Sequence, residues 1–245
     1  MSRDVRVWEE PIPEQTYVIG CDPAQGLAKG DDSVIQVIRM HTGDQVCEVQ
    51  GKIDPIELGE LCYTVGTWYN NALVGIENNQ DGGCNRTLFN CGYRNIYFQQ
   101  TNSGKPFDEA SPKLGYHCNV RTRPHLVAQG RHHMQEGNVI PRSSALIAQF
   151  EIFAYNGTRF QAVSGGHDDL VMAWLLAIEM FVVQLAVDET KYNVLLPTVD
   201  GESIPEIGEE DIDVARIPRE QRLTEQALGR QEEWMEYPSV MESLF

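Results

Sequence analysis

The sequence predicts an α/β fold: a mixed β-sheet, three antiparallel strands followed by parallel ones, flanked by helices. Three observations predict it. Short β-branched runs broken by turn residues open the chain; a helical segment then leads into ALVGIE, residues 72–77, apolar enough to be a central strand covered on both faces; and a long apolar run, residues 170–187, closes the pattern. At 245 residues, with 42% hydrophobic and 22% charged side chains, the chain can bury one sizeable core and has the composition of a globular protein.

The first strand is TYVIG, residues 16–20, running on to Asp22. The turn-rich PAQGLAKGDD follows, then a second strand over 33–40, turn chemistry at His41 to Asp44, and a third strand over 45–53. Asp54 caps a helix beginning at Pro55, whose apolar positions Ile56, Leu58, Leu61, Cys62, Val65 and Trp68 recur at helical spacing. After the central strand ending at Glu77, Asp81, Gly82 and Gly83 precede a helix to about Cys91, and a short fifth strand, NIYFQ, follows over 95–99. Residues 100–118 read as an exposed loop or hairpin, 123–135 and 143–150 as helices, and FAYNGTRFQAV as a hairpin turning at Asn156 and Gly157. The last core element is the long helix after Gly165 and Gly166. Residues 1–187 are thus expected to form one domain and 188–245 an acidic tail, flexible or partner-binding.

The net charge of −17 is uneven: residues from 186 onward carry 15 acidic and 5 basic side chains, against 21 and 14 before them. Such a balance predicts weak intrinsic affinity for polyanions and places part of any DNA-gripping surface on another domain or subunit. Six cysteines without a CxxC pair, and no secretory leader, point to reduced thiols in a cytosolic protein. His117 with Cys118, and His132 with His133, lack the paired knuckles of a zinc site. The apolar run from 170 approaches membrane-spanning length, but Glu179 interrupts it and Asp168 and Asp169 open it, so a buried core helix is expected and no membrane partner.

Acidic residues fall at the ends of elements: Asp22 after the first strand, Glu77 after the central one, and Asp168 with Asp169 opening the last helix. Taken singly, each is more simply a turn former, a solvated strand end or a helix cap. Taken together, on neighbouring strands with the helix packed over them, they converge. Clustered carboxylates repel unless a cation lies between them, and oxygen-only ligands favour Mg2+ or Mn2+. Two such ions can activate a water and stabilise the leaving oxygen of a phosphodiester. Asp22, Glu77 and Asp168 are the candidate catalytic and metal-binding acids, with Asp22 bridging two ions and Asp169 a supporting or alternate ligand.

Four blocks carry a resemblance: GCDPAQGLAKGDDSVI, VGIENNQDG, KLGYHCNVRTRPHLV and GGHDDLVMAWLLAI, in that order. The sequence resembles the nuclease domain of the large terminase subunit of tailed bacteriophages, a ribonuclease H-like family. The resemblance implies a ribonuclease H-like sheet, two-metal hydrolysis and endonucleolytic cutting of concatemeric double-stranded viral DNA during genome packaging. It matches Asp22, Glu77 and Asp168 to the family's metal-binding acids. It also implies a packaging ATPase domain or subunit, a small terminase subunit and a portal as partners, in the cytoplasm of an infected bacterial cell. No GxxxxGK[ST] loop is present, since Gly104 and Lys105 precede Pro106, so no ATP site is expected in this chain.

Lys29, Lys105, Lys113, Arg121, Arg123 and Arg131 are candidate phosphate contacts, and His167 a candidate proton carrier. Three other readings compete with the nuclease one, of which the kinase-like one lacks both the second glycine-rich loop and the length it needs. A Holliday-junction resolvase or transposase would share the chemistry and differ in substrate. Sugar kinases and actin-like ATPases share the strand, DxxxG, strand opening but need a second phosphate loop. A non-catalytic packaging or portal-binding module would use the acids structurally.

Overall fold

The computed structural model describes residues 3–78, 83–99, 113–163 and 165–195. Residues Met1–Glu189 form one compact unit and Thr190–Phe245 another. The acidic tail beyond Leu195 lies outside the described residues, as does Lys105.

Five strands make the main sheet: β1 (Arg3–Val7), β2 (Tyr17–Asp22), β3 (Ser33–Arg39), β4 (Gln45–Gly51) and β5 (Leu73–Ile76), in the order β1-β4-β3-β2-β5. β2, β3 and β4 are the expected antiparallel meander, and β5 runs parallel to β2 from Val18↔Leu73 to Cys21↔Ile76. Strand β1 was not anticipated. Its sequence, RDVRV, has three charged residues in five, a composition that a half-exposed edge strand tolerates and that conceals it from a hydrophobic pattern.

The fifth strand expected over 95–99 is divided. Asn95 to Tyr97 make one parallel bridge to Val74, whereas Phe98–Gln99 (β6) turns away and pairs with Lys113–Leu114 (β7). The hairpin expected within 100–118 is seen only at that β7 arm, because 100–112 are not described.

Helix α1 (Pro55–Trp68) starts as predicted, with the Asp54 carboxylate accepting from the amides of Ile56 and Glu57. It is followed by α2 (Gly83–Asn90), α3 (Thr122–Gln135) and α4 (Ser144–Ile152), the last capped by Ser143. The hairpin β8 (Phe153–Tyr155) and β9 (Phe160–Ala162) then turns at Asn156 and Gly157, where Gly157 takes φ +90°.

Helix α5 (Asp169–Leu195) is the centre of the core and runs through residue 187. Leu170 to Ile178 and Met180 are all at most 2% exposed. The helix is long and apolar enough to cross a membrane, yet 67% of that stretch is buried against the protein's own sheet. It approaches closely because two strand residues lack side chains. A Cβ on Gly20 would lie 2.2 Å from the Ala173 carbonyl oxygen and the Ala177 amide nitrogen, and one on Gly75 would meet the Met180 sulfur at 2.4 Å.

Toward the β1 edge of the same sheet face, Glu48 is buried at 1% exposure and fully engaged. Its Oε2 accepts from Gln36 Nε2 at 2.9 Å and Gln45 Nε2 at 3.2 Å; its Oε1 accepts from Ser143 Oγ at 2.9 Å and Arg6 Nη1 at 2.8 Å. These bonds tie β1, β3, β4 and the α4 cap into one block.

Gly20→Ala should cost about 1–3 kcal/mol or more, because a methyl group there meets helix backbone that cannot rotate away. Gly30→Ala, where the nearest atom is Leu27 Cβ at 3.4 Å, should stay within about 0.5 kcal/mol. Urea denaturation of both variants tests this; equal losses would contradict the close helix-on-sheet approach.

Candidate metal centre

Asp22 is the last residue of β2, and Glu77 follows β5 directly. The parallel pairing of those strands sets the two side by side, the Glu77 amide donating to the Cys21 carbonyl at 2.9 Å. Their carboxyl groups are within hydrogen-bonding reach of each other. Asp168 and Asp169 arrive from the start of α5, where the Asp168 carbonyl accepts from the Met172 amide at 2.8 Å.

Charge reports the convergence. Burial, then the neighbouring Glu77, then Asp169 and Asp168 hold the Asp22 carboxyl well above the usual carboxylate range. Burial first, with Asp31 and Asp168 adding to it, raises Asp169 to about 6, against the partial relief of a 2.9 Å hydrogen bond from the Asp32 amide. The four acids therefore share one field, with Asp22 and Glu77 in direct contact and the α5 pair acting at longer range.

Arg123 is one of the six cations that the sequence offers as phosphate contacts. Its Nη1 lies 3.3 Å from Asp168 Oδ2 and donates to the Phe160 carbonyl at 2.6 Å, holding Asp168 to α3 and β9. Lys29, Lys113, Arg121 and Arg131 are exposed. Arg131 stands apart from this group, beside an apolar hollow lined by Val127, Met134, Phe150 and Phe153.

Three features went unseen in the sequence. Asp31 joins His167 and Asp169 in a group whose ligand atoms all lie within 4.8 Å of one another, His167 Nδ1 being 3.5 Å from Asp31 Oδ1 and 3.8 Å from Asp169 Oδ2. Asp32 contributes its backbone amide to Asp169 and its carboxylate to Lys52. The signal was the doubled acid in GDDS, hidden because a loop has no periodicity to place it. Cys21, Cys62 and Cys84 also gather their sulfurs within 4.8 Å in the core, from three elements whose spacing carries no motif. All six cysteines are free, and neither the His117–Cys118 nor the His132–His133 pair belongs to a ligand group among the described residues.

The donor set fits a hard divalent cation. Asp22, Glu77, Asp168 and Asp169 offer only oxygen, and a single guanidinium beside Asp168 leaves the cluster with excess negative charge, which the raised Asp22 and Asp169 carboxyls register.

Neither a family model nor a curated protein matches the sequence. Solved structures do. The large terminase nuclease from thermophilic phage G20c, with bound magnesium, superposes with a TM-score of 0.56 at 20% identity, covering 71% of this chain and 86% of that one. The chain has the fold of large terminase nuclease domains. The same nuclease with bound cobalt gives a TM-score of 0.57 at 20% identity, over 71% and 86%. The Thermus phage P74-26 large terminase nuclease domain gives 0.54 at 20%, over 71% and 83%. The ribonuclease H-like mixed sheet expected from the sequence is thereby found in the strand order and in these likenesses.

A carboxyl raised on folding binds protons that the unfolded chain has lost. Without metal, Asp22 and Asp169 therefore favour the fold at low pH and withdraw that support as pH rises from about 4, the ordinary carboxylate value, through the Asp169 value of about 6. Melting curves in EDTA should show Asp22→Asn losing less stability than wild type over that interval. Parallel pH profiles for the two proteins would contradict the shared field.

Proposed function

We propose that this chain is a metal-dependent endonuclease that cuts double-stranded, concatemeric viral DNA during genome packaging. The observation that carries the reading is the convergence of Asp22, Glu77, Asp168 and Asp169 at the ends of β2, β5 and α5. The likeness to terminase nucleases solved with magnesium and cobalt supports it.

Asp22 and Glu77, in contact, would hold a divalent ion between the parallel strands, with Asp168 and Asp169 completing the ligand set from α5. Two Mg2+ or Mn2+ ions bound there would supply an activated water and charge neutralisation at the phosphodiester. The chain's own residues do the rest. Arg123 fixes the Asp168 side chain, so that the acid keeps its orientation when phosphate approaches. His167, exposed between Asp31 and Asp169, is placed to carry a proton between the cluster and solvent. Lys29, Lys113 and Arg121 are exposed cations available to the DNA backbone. With residues 1–185 themselves acidic, that contribution is small and a shallow salt dependence of binding follows. A packaging ATPase domain or subunit, the small terminase subunit and the portal are the proposed partners, in the cytoplasm of an infected bacterium.

Supercoiled plasmid incubated with Mg2+, Mn2+ or EDTA should be nicked and linearised only with metal. Asp22→Asn should lower the rate by at least about a hundredfold, the scale on which removing one charge-stabilising group acts. Folded wild type that neither cleaves nor binds either metal by calorimetry would favour the non-catalytic packaging module. Preferential resolution of four-way junctions would favour the resolvase reading.

A further inference from the structure

Beyond Asp169 at its start, the buried stretch of helix α5 carries one further acid, Glu179. Glu179 is 9% exposed, and its Oε2 accepts no hydrogen bond from a described residue; His125 Nε2 stands 3.5 Å away. Burying a carboxylate oxygen without a donor costs about 1–3 kcal/mol. Glu48, the other deeply buried glutamate, has four donors. Nothing in the packing of α5 calls for an acid at 179, where its neighbours Ile178 and Met180 are wholly buried and apolar.

Glu179 faces a cavity of about 510 Å3, within the roughly 300–1,000 Å3 usual for small organic ligands. Aromatic rings form its walls. Tyr97 and Tyr116 stack at 6.1 Å between centroids and 28° between planes, and Phe98 stands at the rim, 42% exposed. Arg121 and His125 also line it. Aromatic faces, one carboxylate and one guanidinium make a set suited to a nucleotide: rings stack any base, while polar groups choose its edge.

The cavity also adjoins the carboxylate cluster through hydrogen-bonded backbone. The Tyr116 amide donates to the Ile76 carbonyl at 2.7 Å, the Asn78 amide donates to the Tyr116 carbonyl at 2.7 Å, and Glu77 bridges Tyr116. Arg121 lies two residues before Arg123, the partner of Asp168.

We infer that this cavity is a nucleobase pocket that receives an unstacked guanine from the DNA strand held at the carboxylate cluster. Guanine presents two adjacent donors, N1–H and the N2 amine, to an acceptor such as the Glu179 carboxylate. Its O6 acceptor then turns toward a cationic side chain. Adenine, cytosine and thymine each lack the paired donors. The inference rests on the nuclease reading and deepens it: cutting would favour sites where a guanine can be drawn from the stack within a few nucleotides of the scissile phosphate, ten residues of α5, about 15 Å, separating Asp169 from Glu179.

Binding of dGMP, dAMP, dCMP and TMP is measured by calorimetry in EDTA, so that phosphate cannot bind through metal. The expected result is a dGMP affinity at least about tenfold above the other three, a difference near 1.4 kcal/mol. Glu179→Gln should abolish that preference, and Phe98→Ala, at an exposed rim position, should weaken all four nucleotides alike, with circular dichroism confirming that both variants are folded. Equal binding of the four nucleotides, no binding at all, or an unchanged preference in Glu179→Gln would overturn the inference. Metal-dependent plasmid cleavage without a guanine preference would overturn the pocket and leave the nuclease standing. A guanine preference in a protein that does not cleave would support the pocket and overturn the nuclease.

Discussion

The contact between helix α5 and the bare backbone of Gly20 and Gly75 governs the architecture. At those two positions helix and sheet meet with no strand side chain between them, the Gly20 face against Ala173 and Ala177 and the Gly75 face against Met180. This fixes the height and rotation of α5 over β2 and β5. Because Asp168 and Asp169 open that helix, the same contact brings its acids to the ends of the two strands that carry Asp22 and Glu77. A bulkier residue at either glycine would lift the helix and with it half of the carboxylate cluster.

The protein treats its buried acids in three ways, and the differences divide structure from function. Glu48 is surrounded by donors from β1, β3, β4 and the α4 cap, which makes it a rivet. Asp22 is left among other acids, with burial and three carboxylates pressing it toward its neutral form. Glu179 is left beside a cavity with one unpaired oxygen. A satisfied acid stabilises a fold, whereas an unsatisfied one stores affinity for whatever completes it.

Much of this was legible in the sequence because periodicity carries it. The β2–β3–β4 meander, the capped start of α1, the Asn156–Gly157 hairpin and the burial of α5 follow from alternation, turn chemistry and length. The acids of the candidate centre were readable by position, at the ends of elements. What escaped has no local signature. Strand β1 exists because β4 offers it an edge, Arg123 turns from solvent to Asp168 because α3 packs beside the start of α5, and Asp31 reaches His167 only through the fold. The segment 95–99 misled for the opposite reason: its β-forming residues satisfy a strand pattern, but the chain leaves the sheet after Tyr97 and pairs Phe98 and Gln99 with β7.

The burial of α5 also orders events in time. In chain order the five strands and α1 precede the helix that covers them, so one face of an apolar sheet waits uncovered through the synthesis of more than a third of the unit. Sheet surfaces exposed in this way are prone to pair with other chains, and long-range closure is slow. Docking of the last helix first assembles the acids, since Asp168 and Asp169 arrive with it. Folding and arming of the centre are one step, and no partly made copy can present the complete carboxylate set.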